Sequence, residues 1–425
     1  MIVLLFSLFA FLAIGVPIAF SLGLSTTLYF IIFNKDLLQV VPQMLFAGMD
    51  SYTLIALPLF ILMGQLMNES KITSRLIDYC LIFIGNIRGG LGIVNVISSM
   101  LFGGISGSSV SDTASIGSIL IPEMKKRGYP EEYAAGLTVA SSTMGMIIPP
   151  SIPMVLYAVT AQESVGRLFL GGVFPGIMVG VFQLLITIVI SNKNSFPREN
   201  ITVSFDTILK MTLKNSYILF MPFFVVGSVI LGVATPTESA ALGVFYALII
   251  GLFLIKSLNL KRIVKALKSA VLTSSKIMII IAFSKIFIWV LAFERVPDEL
   301  SETISSLGLN STSMLLLFVV IILISGTFID VSPAILLFTP VFLPSIIQLG
   351  VSPILFGVVL VIGLAVGACT PPVGNCLNVC AIITGLRIGK IFKGAAPFLI
   401  ANIVTLIIIV LFPNIVTWLP EAIMK

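Results

Sequence analysis

Histidine is absent from all 425 residues, and charge is scarce: Asp, Glu, Lys and Arg together make up 10% of the chain. Losing histidine removes the commonest general base and a common metal ligand. No Ser/Lys or paired-Asp arrangement takes its place, which argues against an intramembrane enzyme. A soluble chain carries roughly a quarter of its residues as charges, so one tenth excludes an ordinary soluble domain. The four cysteines, at 80, 369, 376 and 380, lack metal-ligand spacing and read as small apolar side chains. The net charge of +6 is distributed as membrane topology demands, so nucleic acid is not an expected partner.

What fills the chain instead is apolar: 58% of residues are hydrophobic, with a mean hydropathy of +1.16. Runs such as 315–324, 356–366 and 400–412 recur throughout, so the chain reads as an all-α polytopic membrane protein. Segment 1–14 lacks the basic start of a signal peptide and is expected to be a retained membrane segment.

Two adjacent proline pairs interrupt these runs, Pro149-Pro150 and Pro371-Pro372, 222 positions apart, each pair beginning four residues after a glycine. Other landmarks repeat in the same order. Ile105-Ser106-Gly107 returns as Ile324-Ser325-Gly326, and Pro175 as Pro397. Two copies of one unit are therefore expected, 1–200 and 201–425. The first would hold crossings at 1–14, 17–33, 53–70, a broken segment at 131–162 and a last crossing at 168–191. Short helices at 90–105 and 111–124 would form a re-entrant hairpin, because neither reaches across roughly 30 Å of hydrocarbon at 1.5 Å per residue. The second copy would repeat this at 216–232, 236–255, 277–293, a hairpin at 311–327 and 332–347, a broken segment at 352–385, and 396–413.

Five crossings is odd, so the copies must be inverted with respect to each other. Placing the N-terminus outside puts 19 of the 24 Lys and Arg on the inner face. Lys285 falls inside a span, either snorkelling or marking an interface with another subunit. The basic stretch 258–276 is expected to lie along the inner surface, with 36–50 as its outer counterpart. Glu238, just after Pro236, reads as a helix-start carboxylate.

Proline has no amide hydrogen. Pro149 and Pro150 therefore leave the carbonyls of Gly145 and Met146 unbonded, and Pro371 and Pro372 those of Gly367 and Ala368. Bare carbonyls at membrane depth cost several kcal/mol each, and a cation can satisfy them. The hairpin tips add oxygens: Ser106, Ser108, Ser109 and Ser111 in one copy, Ser325, Thr327 and Asp330 in the other. These clusters are largely neutral, with Asp112 alone nearby, which favours Na⁺ over a proton relay. Helix N-termini expected at Ser111/Asp112 and Ser332-Pro333 favour an anionic substrate.

The motifs Gly15-Val-Pro-Ile-Ala-Phe-Ser-Leu-Gly23, Gly103-Gly-Ile-Ser-Gly-Ser-Ser109, Asp112-Thr-Ala, Pro149-Pro-Ser, Thr235-Pro-Thr-Glu-Ser-Ala-Ala241 and Pro371-Pro372 resemble the large membrane (M) subunit of TRAP transporters. The resemblance covers essentially the whole chain. It implies an elevator-type carrier in the bacterial inner membrane. Scaffold helices would occupy 1–70, 168–191, 216–293 and 396–413, and mobile transport elements 88–165 and 309–386. It implies Na⁺ coupling and a periplasmic substrate-binding protein (P type). It also implies a small four-helix membrane subunit (Q type), expected either as a separate chain or as a fusion partner outside this numbering. Carried onto this sequence, the first Na⁺ site would use Ser106, Ser109, Gly145, Ile148 and Pro150, and the second Gly326, Gly367, Thr370 and Val373. Substrate would meet Ser108, Ser109, Ser151 and Asp330. Family substrates are small organic acids, among them sialic acids and C4-dicarboxylates. No arginine at midplane clamps two carboxylates, which tilts the expectation towards a sugar acid such as N-acetylneuraminate. The rival readings are a single-component organic-ion symporter of the same two-hairpin architecture, and a channel.

Overall fold

The computed structural model describes residues 2–84, 87–198, 205–299, 302, 308 and 310–424. The boundary expected at 200–201 lies outside them, as do residues 1, 309 and 425. Among the described residues the chain is helical throughout, with one isolated β-bridge between Arg88 and Arg198. The first helices are α1 (Ile2–Ala13), α2 (Ile18–Phe33), α3 (Val40–Met49), α4 (Ala56–Glu69) and α5 (Ile72–Ile84). A hairpin follows, α6 (Gly90–Ser106) and α7 (Ser109–Lys126). The first broken segment is α8 (Glu131–Ser142), the single turn α9 (Met144–Ile147) and α10 (Ile152–Ala161). Long helices come next: α11 (Val165–Lys193), α12 (Phe205–Ile230), α13 (Pro236–Ile249) and α14 (Leu260–Phe293). The second hairpin is α15 (Ser311–Gly326) and α16 (Val331–Gln348), and the second broken segment is α17 (Pro353–Gly367) and α18 (Asn375–Thr384). The chain closes with α19 (Ile388–Leu411) and α20 (Asn414–Ile423).

Seven helices among the described residues are long and apolar enough to cross a membrane, or eight if α8–α10 is one bent span. That is fewer than the ten crossings expected. Gly15, at φ +86°, and Pro17 separate helices of 12 and 16 residues, and the segment expected at 352–385 forms helices of 15 and 10, each short of the length of a span. The arm α16, at 18 residues, does reach it. The surface stretch expected at 258–276 and the crossing expected at 277–293 are one continuous helix of 34 residues, α14. Asn259 starts it by accepting the Arg262 amide, and no glycine or proline interrupts it. Helices α5 and α20 carry no counterpart among the expected elements.

Every residue of α17 from Ile354 to Gly367 is buried. A helix apolar on all sides belongs in a core, and α17 packs against α10, α11, α15, α16 and α19. Helix α8 is packed as closely: a Cβ on Gly136 would collide with the Gly394 and Ala395 backbone of α19. The two broken segments thus form the middle of the molecule. The Tyr157 hydroxyl joins them, donating to the Pro353 carbonyl at 2.7 Å. Tyr157→Phe should cost about 1 kcal/mol. Thermal unfolding in detergent would register this as a small fall in Tm with transport retained.

Glu238 stands in the first turn of α13, as expected of a helix-start carboxylate. Thr235 and Glu238 form a reciprocal capping box, with the Thr235 amide donating to the Glu238 carboxylate at 2.8 Å.

Candidate functional site

Both proline pairs sit where helices stop. Helix α9 ends at Ile147 and α10 begins at Ile152, with Ser151 between them accepting the Met154 amide. The Pro149-Pro150 and Pro371-Pro372 bonds are both cis. Their freed carbonyls meet different fates. The Ser151 hydroxyl donates to the Met146 carbonyl. At the second break the Thr370 amide donates to Gly367 at 2.9 Å, and the Cys376 amide to Ala368 at 3.2 Å. Among the described residues no donor reaches the Gly145 carbonyl. The expectation of bare carbonyls at both breaks therefore survives only at Gly145.

Each break touches a hairpin arm through a pair of glycines. A Cβ on Gly103 would lie 3.0 Å from the Gly145 Cα, and one on Gly326 would lie 3.2 Å from the Gly367 Cα. Only glycine permits backbones that close. Near the first contact, Ser109 donates to the Ser142 carbonyl at 3.0 Å. Pro150 presents its carbonyl to the tip glycine Gly107. Ile148 turns its side chain onto Gly176 of α11, so only its backbone is available to an ion.

The one carboxyl group expected near the first cluster lies within it. Asp112 is fully buried, takes the Ser106 hydroxyl on Oδ1, and leaves Oδ2 without a partner among the described residues. That oxygen lies so close to Gly145 that a Cβ there would collide with it. A buried carboxylate oxygen with nothing bound to it is costly unless a cation or proton completes it. The sequence signal, Asp112 immediately after the serine-rich tip, was visible, but its direction was not.

Both hairpin caps fall earlier than expected. The N-cap of α7 is Ser108 rather than Ser111/Asp112, and that of α16 is Asp330 rather than Ser332. An N-cap needs extended backbone, which Ser108 and Asp330 have (ψ 118° and 154°), while the later residues are already inside helices. Asp330 Oδ1 accepts the Val331 amide at 2.9 Å and the Asn375 side chain at 3.1 Å. The Val373 amide donates to the Thr327 carbonyl at 3.2 Å, so the second tip is bonded to the second break. Thr370 turns its hydroxyl to the Val366 carbonyl.

Two cavities adjoin these groups. One of about 280 Å³ is lined by Ser108 and Ser109 of the first tip, Asp330 and Ser332 of the second, and Lys276 of α14. The other holds only about 10 Å³, between Gly326, Thr327, Asp330, Val373 and Asn375, the size of one water or small ion. Asp330 lines both. Of the expected substrate residues, Ser108, Ser109 and Asp330 come together. Ser151, 1% exposed, is outside the lining and has its hydroxyl engaged. Lys276 was missed because its basic neighbourhood reads as membrane surface. Lys285 lines a separate cavity of about 490 Å³ together with Asp50, Glu163 and Ser284.

The family described as "Tripartite ATP-independent periplasmic transporter, DctM component" matches residues 5–415. Curated relatives include the C4-dicarboxylate TRAP transporter large permease protein DctM of Pseudomonas aeruginosa, 36% identical, covering 94% of each chain. The sialic acid TRAP transporter large permease protein SiaM of Vibrio cholerae is 32% identical over 96% of this chain and 95% of its own. Among solved structures, the YdaH transporter of Alcanivorax borkumensis shares the fold, with a TM-score of 0.65 at 13% identity, covering 92% of this chain and 90% of that one. Two hairpin tips meeting two proline-broken helices, within a match spanning nearly the whole length, establish that the chain belongs to the DctM family of TRAP transporter large permeases.

Proposed function

We propose that this chain is the carrier subunit of a Na⁺-coupled uptake system for a small organic acid, a sugar monocarboxylate of the sialic-acid type. It would sit in the bacterial inner membrane with its N-terminus outside, as the distribution of lysine and arginine suggests. A periplasmic binding protein would deliver substrate, and a small four-helix subunit would complete the assembly, in keeping with the tripartite family description.

The observation that carries this reading is the 280 Å³ cavity between the tips. Its one cation, Lys276, suits one carboxylate, while Ser108, Ser109 and Asp330 offer partners for hydroxyl or amide groups. Na⁺ would bind at the first break through Ser106, Ser109, the carbonyls of Gly145, Ile148 and Pro150, and Asp112. A second ion would use the 10 Å³ cavity, lined by Gly326 and Val373 of the expected set, with Gly367 and Thr370 outside the lining and bonded to each other. The hairpins and broken helices would move as a body past α14, carrying the cavity across the membrane. A C4-dicarboxylate is the second reading, favoured by the 36% identical relative of that name.

An uptake panel in proteoliposomes, with the cognate binding protein and small subunit present, separates these substrates. Preference for N-acetylneuraminate over succinate and malate supports the first reading, and the reverse sinks it. Uptake driven equally well by a pH gradient without a Na⁺ gradient would refute the coupling ion. Lys276→Gln should raise the substrate KM about tenfold by removing a charge-assisted contact, with Lys276→Arg restoring most of the loss.

A further inference from the structure

Gln183 of α11 and Asn402 of α19 are 219 residues apart, the same lag at which Ile105-Ser-Gly recurs, and they bond directly to each other. Gln183 Nε2 donates to Asn402 Oδ1 at 2.8 Å and to the Ala140 carbonyl at 3.1 Å. Asn402 Nδ2 donates to Thr143 Oγ1 at 2.7 Å, and that hydroxyl donates on to Ala140 at 2.6 Å. Gln183, Asn402, Thr143 and Ala140 are all 0% exposed. Thr143 immediately precedes the single turn that carries Gly145.

Buried amides at membrane depth are expensive, and leucine would fill these positions at less cost. Apolar packing, however, fixes separation more firmly than direction, whereas a hydrogen-bonded chain fixes both. The brace is one-sided. The residues 222 positions beyond Ala140 and Thr143 are Ile362 and Ala365, which have no side-chain polar atom. The second break therefore has no such side-chain chain: apolar packing of α17 and the Val373–Thr327 backbone bond hold it, whereas two buried amides brace the first.

We propose that Gln183, Asn402 and Thr143 are positioning residues for the first cation site. They set the orientation of the one break carbonyl left without a donor, Gly145, and do not touch the ion. The proposal rests on the Na⁺-coupled reading above. It predicts that the two ion sites respond differently to the same kind of substitution, because only the first has this brace.

The test is the Na⁺ dependence of uptake by the complete transporter carrying Gln183→Leu with Asn402→Leu, which removes both partners and leaves no orphan amide between them. Half-saturating Na⁺ should rise about five- to tenfold, with substrate KM at saturating Na⁺ changed less than twofold. Exchanging the amides, Gln183→Asn with Asn402→Gln, should bring the Na⁺ curve back towards native. Tyr157→Phe serves as the control, lowering Tm without moving the curve. If the double leucine variant does not fold, Thr143→Val removes the receiving hydroxyl with almost no change in volume. A folded variant with a native Na⁺ curve overturns the brace alone. A native transporter indifferent to Na⁺ overturns the coupling reading and the brace together.

Discussion

Substituting Gly367 with alanine is expected to reduce uptake by more than tenfold. A Cβ there would stand 2.5 Å from both the Cα and the carbonyl carbon of Gly326, where ordinary contact needs 3.4–4 Å. Both of those atoms are backbone, so no side-chain rotation relieves the clash, and the tip of the second hairpin must move away from the break. Overpacking of this kind costs about 1–3 kcal/mol in a well-packed core. The functional loss should exceed the loss of stability, because the displaced tip carries the wall of the 10 Å³ cavity and Asp330 with it. Gly326→Ala offers the internal comparison: its Cβ would lie 3.2 Å from the nearest atom, a few tenths of an ångström from tolerance. Transport and Tm measured on both should rank Gly367→Ala well below Gly326→Ala. Native uptake by Gly367→Ala would contradict the close approach itself.

The second large effect concerns Asp112. Asp112→Asn keeps an oxygen for the Ser106 hydroxyl but removes the charge beside Gly145. A cation about 3 Å from a carboxylate gains on the order of 5 kcal/mol at an effective dielectric near 20, before desolvation is subtracted. Half-saturating Na⁺ should therefore rise at least tenfold in Asp112→Asn, with maximal uptake partly recovered at high Na⁺. An unchanged Na⁺ curve would remove Asp112 from the ion site. Uptake that loses its response to a pH gradient instead would identify the unpartnered oxygen as a proton carrier.

Local chemistry was legible before any coordinates. The ends of α9 and α17 follow from prolines without amide hydrogens, and the place of Glu238 in the first turn of α13 from Pro236 before it. The first hairpin was legible because serine and glycine interrupt apolar runs too short to span, whereas α16 of the second is long enough to cross. Legibility failed where a partner lies far along the chain. Lys276 read as surface because its immediate neighbours are basic and polar, yet α14 continues unbroken past the tips and brings it to the cavity. Gln183 and Asn402 are isolated polar residues in apolar helices, and nothing local marks them as partners.

The chain's composition and its double prolines were enough to establish a polytopic membrane protein with two interrupted helices, and its motifs were enough to place it in a family. These are properties of backbone chemistry and of short, contiguous patterns. The state of each freed carbonyl could not be obtained that way. Ser151 reaches Met146, Thr370 reaches Gly367 and Cys376 reaches Ala368, while among the described residues no donor reaches Gly145. A missing donor follows from residue type; a substitute donor depends on how the turn folds and what packs beside it.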